Sequence, residues 1–320
     1  MPTAPIRVRA HAKINLDLRV SGRHIDGFHE LRTIMQSIAL HDVITLRATQ
    51  GPCRVRCAAP GVPEGEDNLV WRVVHRLWAA LGRGGVPHGV TVTITKRIPV
   101  AAGLGGGTAD AVAALHGLCR LWEAAPEPAC LRDIAGEVGS DGPFFLVGGT
   151  ALGLGRGDEV YPLAELPRHW VVVAVPRRGV STVSAYAWMD RDRAAASASR
   201  RRQRVAASWS VPPVVGPVID LAALTNDLEP SVARRRPEIR TAARALAAAG
   251  ATVAAMTGSG SAVFGLFSRR TRAIEAARQL RVAGGVALVT RTLERATLAQ
   301  YTYLDGAAFL DGDSPRARHT

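Results

Sequence analysis

Apolar residues in the first sixty positions fall into short alternating runs, IRVRA, INLDLRV, DVITLRA and CRVRCAA, parted by polar turns, which predicts β-strands. From Asn68 to Gly82 the period changes. Leu69, Val70, Val73, Val74, Leu77, Trp78 and Leu81 recur at helical spacing, with Asp67 or Asn68 as the N-cap and Gly82 as the stop. VTVTITKRI then reads as a β-branched strand, the stretch from about Gly107 to Trp122 as a helix, and EPACLRDIAGEVG as another. Beyond Pro167 a new apolar strand, WVVVAV, starts at Trp170. A helix over about 181–190 follows, then a basic loop, a helix over about 231–249, strand ATVAAM, loop TGSGS, strand AVFGLF, a helix over about 270–282 and strand VALVTRTL. Helices interleaved with antiparallel strands in this half predict an α+β plait. The domains are expected at 1–167 and 168–305, with a flexible tail at 306–320.

Composition narrows the class. A chain of 320 residues suffices for two domains of about 150 residues each. No apolar run reaches the roughly 18 residues of a membrane span, and the N-terminus lacks the apolar core of a signal peptide, so a cytoplasmic protein without a membrane partner is expected. Cys53, Cys57, Cys119 and Cys130 form no CxxC pair and read as buried reduced thiols. The net charge of +13 is concentrated at 191–204, 233–240 and the C-terminal tail. No aromatic residue interleaves with these arginines, so a solvated basic loop is expected at 191–204, not a nucleic-acid arm. A general positive field also suits a polyphosphate substrate. Of the 40 basic residues only Lys13 and Lys96 are lysine, which raises the question of whether those two positions need a compact ammonium.

The chemistry centres on KRIPVAAGLGGGTADAVAAL, residues 96–115. It is not a P-loop, because no lysine follows the glycines. It is not a dinucleotide fingerprint either, because Thr108 stands where the third glycine belongs. The physics shared by both motifs survives: bare backbone admits a phosphate closely, and the following helix offers its positive end. A tight strand-to-helix turn that binds nothing is the plainer reading, and four glycines exceed what it requires. Further glycine clusters occur at 148–159 and 256–265. Asp141 in GSDGPFF is either a helix or turn cap or the carboxylate of a site. With Lys13 from AKINLDL it would complete a set for phosphoryl transfer, if folding brings both to the glycine loop.

Four segments together, AHAKINLDLRVSGRHIDGFHEL, IPVAAGLGGGTADAVAAL, GSDGPFFLVGGTALGLGRGD and MTGSGSAVFGLF, resemble the galactokinase, homoserine kinase, mevalonate kinase and phosphomevalonate kinase superfamily from about residue 8 to 295. The opening segment is similar to the branch whose acceptor is a cytidine diphosphate-linked methylerythritol polyol. The resemblance implies an ATP-dependent kinase acting on that polyol's 2-hydroxyl, with a ribosomal-protein-S5-like N-terminal domain, a ferredoxin-like C-terminal domain and a site in the cleft between them. It implies Asp141 as catalytic base and Lys13 as its cationic partner. Pro99, Val100, Ala101, Ala102, Gly103, Leu104, Gly105, Gly106, Gly107, Thr108 and Ala109 would hold ATP, with Asn68 near the adenine and Thr108 offering its hydroxyl to Mg²⁺. Asn15, Phe28 and His29 would contact the acceptor, and Trp188 or Tyr186, of which Trp188 is preferred, would stack on its base. Asn226 matches a family segment, with helix capping as its plainer role. A monomer or weak homodimer is expected, without nucleic acid. Departures from the family pattern are Thr108 and Ala109 in place of two serines, Phe28 in place of tyrosine, and Gly142 in place of valine, which is expected to loosen the backbone beside Asp141. A homoserine- or mevalonate-type kinase, or an RNA-binding protein on an S5-like fold, are the alternatives.

Overall fold

Two long strands, β1 (Ile6–Arg23) and β2 (His29–Pro52), pair antiparallel along most of their length and form the spine of the N-terminal half. The computed structural model describes residues 4–23, 27–199, 214–215, 218–280, 282, 284–301 and 303–304. IRVRA and INLDLRV are therefore a single strand, because pairing with β2 continues through the polar residues between them. On the other edge of β2, its C-terminal part pairs with β4 (His88–Thr95), which pairs in turn with β3 (Arg54–Cys57), while its middle pairs with β5 (Thr150–Leu154) and so with β6 (Glu159–Pro162). Helices α1 (Leu69–Ala80), α2 (Gly106–Leu121) and α3 (Pro128–Glu137) bury their apolar faces against this sheet, and a short α4 (Gly142–Val147) follows. The α1 cap is Asn68, whose side chain accepts from the Val70 amide, so Asp67 is not the capping residue.

The second sheet contains β7 (Trp170–Val175), β10 (Val253–Met256), β11 (Val263–Phe267) and β12 (Val286–Arg291) in the order β10-β11-β7-β12, all antiparallel. A short pair, β8 (Val214–Val215) and β9 (Val218–Ile219), precedes β10. Helices α5 (Thr182–Ser199), α6 (Glu229–Arg235), α7 (Pro237–Ala248) and α8 (Arg270–Gln279) accompany the sheet, and α9 (Arg295–Tyr301) ends the described helices. The expected helix over 231–249 is thus two helices. Pro237 excludes the α conformation at the residue before it, and Arg236 takes φ −136° and ψ 73°. The expected basic loop at 191–204 is also corrected, since residues 191–199 continue α5. Alanine and arginine favour helix, and Asp192 is gripped by Arg235 at 2.8 Å and 3.0 Å. The rest of that segment and the tail at 306–320 lie outside the described residues.

Packing of the sheets on one another explains how β1 comes to carry a site. Val8 and Ala10 lie in the core beneath α1 and α2, whereas Ala12, Ile14 and Leu16 lie in a core shared with Val171, Val173, Phe264 and Leu266 of the second sheet. The β1–β2 register shifts between His11 and Lys13 and again between Asn15 and Asp17. Across such irregularities side chains are re-aimed, and buried Lys13 and Asn15 are left facing a cleft. All four cysteines are free thiols, two buried and two half-buried.

Candidate active site

A cleft of about 580 Å³ opens where the glycine loop, β1, the loop before α1, and the Gly139–Asp141 turn meet Val180–Thr182, Tyr186 and Gly258–Ser259 of the C-terminal half. The glycine loop is shaped by its neighbours. Gly103 and Gly105 have φ of +79° and +71°, and a side chain at Gly103 would come within 2.5 Å of the Thr257 carbonyl oxygen. At Gly105 a Cβ would press on Phe145 at 2.7 Å. The loop is tied to β1 by the Lys13 amide, which donates to the Leu104 carbonyl, and to the C-terminal half by the Ala262 amide, which donates to the Ala102 carbonyl.

Helix α2 begins at Gly106 with Gly105 as an N-cap that supplies no side-chain bond. Among the described residues the amides of Gly106, Gly107 and Thr108 have no acceptor. Unpaired first-turn amides and the positive end of a 16-residue helix make an anion site. Residues Pro99 through Thr108 line the cleft. Ala109 does not. Its methyl is buried in the core under the helices and its amide donates to the Gly105 carbonyl. Asn68 lines the cleft, with its Oδ1 accepting from the Val70 amide at 2.9 Å and its Nδ2 donating to the Pro63 carbonyl at 2.7 Å.

Lys13 Nζ stands 3.1 Å from Asp141 Oδ2 and donates to Asn15 Oδ1 at 2.5 Å. Asn15 is itself held, its Nδ2 donating to Thr33 Oγ1 at 2.7 Å and its amide to Thr257 Oγ1 at 2.9 Å. The Lys13 side chain is 5% exposed and that of Asp141 32%, so the ammonium is fixed while the carboxylate reaches open space. Asp141 precedes α4 but makes no side-chain cap bond. Gly142 does not loosen its backbone. A Cβ there would lie 1.8 Å from the Ala135 carbonyl oxygen, so the glycine lets α4 close on α3.

Tyr186 on α5 also lines the cleft, and its ring stacks on His29 with centroids 4.8 Å apart and planes at 27°. His29 Nε2 is 2.8 Å from Asp190 Oδ1. Burial first, and then the charge of Asp141, push the Tyr186 phenol above its ordinary range and keep it protonated. Trp188, the preferred stacking residue, packs against the C-terminal core beneath the Arg235 guanidinium and does not line the cleft, whereas Tyr186, two positions away on the helix, does. Phe28 is 54% exposed, with the Arg156 guanidinium 4.1 Å above its ring, and Arg156 lines the cleft. Phe28 and His29 are not in the cleft wall themselves.

Thr257 and Arg156 escaped sequence reasoning. Asn226 does more than cap. Its Oδ1 accepts from the Leu228 amide, and its Nδ2 donates to the carbonyls of Met256 and Gly258, fixing the third glycine cluster beside the first.

Comparison with known proteins accords with this geometry. The family model for the GHMP kinases N terminal domain matches residues 68–149, and that for GHMP kinases C terminal matches 215–285. The 4-diphosphocytidyl-2-C-methyl-D-erythritol kinase of Moorella thermoacetica is 40% identical over 295 residues, covering 89% of this chain and 98% of its own. The chain belongs to the 4-diphosphocytidyl-2-C-methyl-D-erythritol kinase family. The member from Gloeobacter violaceus is 41% identical over 270 residues, covering 84% of this chain and 87% of its own. A crystal structure of a 4-(cytidine 5'-diphospho)-2C-methyl-D-erythritol kinase superposes with a TM-score of 0.71 at 32% identity, over 89% of this chain and 98% of that one. Homoserine kinase from Cytophaga hutchinsonii, at 19% identity and a TM-score of 0.65 over 92% and 96% of the two chains, shares the fold. The architecture is the two-domain GHMP kinase fold, and the family is one of ATP-dependent small-molecule kinases.

Proposed function

We propose that this kinase transfers the γ-phosphoryl group of ATP to the 2-hydroxyl of 4-diphosphocytidyl-2-C-methyl-D-erythritol, giving the 2-phosphate and ADP. One observation carries the reading: a lysine–aspartate pair at 3.1 Å shares a cleft with the unpaired amides of a helix N-terminus. The amides of Gly106, Gly107 and Thr108 receive phosphate oxygens. Asp141 accepts the hydroxyl proton as the acceptor oxygen bonds to the γ-phosphorus and the bond to the β,γ-bridging oxygen breaks. Lys13, held by Asn15, steadies the carboxylate and the charge developing on the transferred group. Tyr186, backed by His29, offers an aromatic face to the cytosine, and Asn68 holds the loop at the adenine end.

The donor set fits a Mg²⁺ ion brought in by the phosphates. Among the described residues no group of three His, Cys, Asp or Glu could hold a metal, whereas the Thr108 hydroxyl and the Asp141 carboxylate are hard oxygen donors lining the cleft. When bound, the ion neutralises charge on the phosphate oxygens. No described helix is long and apolar enough to cross a membrane, which supports a cytoplasmic enzyme, and we propose that it works as a monomer or weak homodimer without nucleic acid. A coupled assay of ADP release tests the acceptor. Turnover with 4-diphosphocytidyl-2-C-methyl-D-erythritol and none with homoserine or mevalonate is expected, and the reverse pattern would refute the reading.

A further inference from the structure

Beneath the glycine loop lies a second lysine site that the phosphoryl-transfer chemistry does not use. Lys96 Nζ donates to Asp42 Oδ2 at 2.5 Å and to Asp110 Oδ2 at 2.7 Å, and the side chains of the three are 8%, 0% and 3% exposed. Asp42, on β2, uses its other oxygen to accept the amides of Arg97 and of Ile98, the latter at 2.8 Å, where the chain leaves β4 for the glycine loop. Asp110 stands on α2 where the chain has left that loop. One ammonium thus joins the two ends of the loop to each other and to the central strand. It sits directly under the first residue of the helix, since a Cβ on Gly106 would meet Lys96 Nζ at 3.2 Å and Ile98 Cγ2 at 3.0 Å. Lys96 and Asp110 also line the nucleotide end of the cleft.

We infer that Lys96 is a positioning residue for the nucleotide: by bridging Asp42 and Asp110 it aims the first-turn amides of α2 at the phosphates. The inference rests on the kinase reading of the cleft. Fixing the loop ends before binding removes an ordering cost that a loose loop would impose on each binding event. The site also accounts for lysine in a chain whose basic residues, Lys13 apart, are otherwise arginine. A planar guanidinium is larger than an ammonium and would have to spread between two carboxylates that hold Nζ at 2.5 Å and 2.7 Å close beneath Gly106. Among the described residues Asp110 Oδ1 has no hydrogen-bond partner.

The test is calorimetric titration with ADP alongside steady-state kinetics for Lys96→Arg and for Asp42→Asn, which keeps a carbonyl for the Arg97 and Ile98 amides. In Lys96→Arg the ADP Kd and the KM for ATP should rise together by about tenfold or more. The acceptor KM and the kcat at saturating ATP should stay within about threefold of the parent. Asp42→Asn should move the same two constants in the same direction by a smaller factor. An unchanged ADP Kd in folded Lys96→Arg protein, or a fall in kcat with both KM values unmoved, overturns the inference. Loss of folding in both variants also overturns it, by assigning the triad to stability alone. Wild-type protein that binds ADP but does not phosphorylate the cytidyl polyol would refute the acceptor reading while leaving this binding test intact.

Discussion

Lys13 on β1 and Asp141 at the start of α4 form a 3.1 Å ion pair in the cleft wall, with the ammonium buried and the carboxylate about one-third exposed. The asymmetry sets what each substitution should do. Asp141→Asn keeps the shape, caps no helix and removes the proton acceptor. The variant should therefore melt within a few degrees of the parent while kcat falls by about 10²–10⁴. Lys13→Arg must fit a wider group between Asn15, Asp141 and the backbone of Gly105, whose Cβ would already lie 3.2 Å from Lys13 Cγ. A fall in kcat of about a hundredfold or more is expected. ADP release in the coupled assay measures both, and near-parental turnover in either variant would remove that residue from the reaction.

Tyr186 and Trp188 give opposite predictions for the acceptor. Tyr186→Ala takes away the aromatic wall of the cleft and the ring stacked on His29, so the acceptor KM should rise by about tenfold. Tyr186→Phe should restore most of it. Trp188→Phe keeps an apolar body in the C-terminal core and should leave the acceptor KM unchanged, with any loss appearing in the melting temperature. A Trp188→Phe effect on KM exceeding that of Tyr186→Ala would reverse the assignment.

Much of this site was legible because local signals coincide with global needs. The apolar period of 69–81 and the Asn68 cap define α1, and the glycines before α2 announce a helix end left without a side-chain cap. Lys13 was visible as one of only two lysines and Asp141 as a cap or site carboxylate, but their meeting depends on how β1 is irregular against β2 and on how closely α4 approaches α3. Neither has a sequence period. The choice between Tyr186 and Trp188 was not legible for a related reason. Helix α5 is rich in alanine and serine, so its pattern does not reveal which face docks. The break at Pro237 was readable from the rule for residues preceding proline, and the apolar period over 231–249 masked it.

Gly142 should prove structurally intolerant although it departs from the family pattern. Any Cβ there meets the Ala135 carbonyl at 1.8 Å, a backbone atom that cannot rotate away, so α3 and α4 must part to admit one. Gly142→Ala should cost about 1–3 kcal/mol of stability in chemical denaturation. Because α4 follows Asp141 directly, kcat should fall as well, while the KM for ATP holds. A variant as stable as the parent would show that the α3–α4 contact yields without cost.

Acid should destabilise the protein through histidines kept neutral by the fold. His11 is lowered to about 3 by burial first, and then by the charges of His41, Arg9 and Arg291, with the nearby Ile38 backbone carbonyl, which favours the protonated ring, opposing. Burial likewise lowers His41 and His116. For a base whose folded pKa lies below its unfolded value of about 6.5, the unfolded chain binds more protons between the two values. Stability is therefore fully present above about pH 6.5 and drains away as the pH falls towards 3. His11 lies tilted against His41 with centroids 5.1 Å apart and planes at 55°, and both of its ring nitrogens are buried without a hydrogen bond among the described residues, so its ring is replaceable by an apolar one. His11→Phe should flatten the decline in melting temperature between pH 7 and pH 5 relative to the parent, with little change above pH 7. A pH profile that runs parallel to the parent's would show that protonation of His11 is not what the folded state resists.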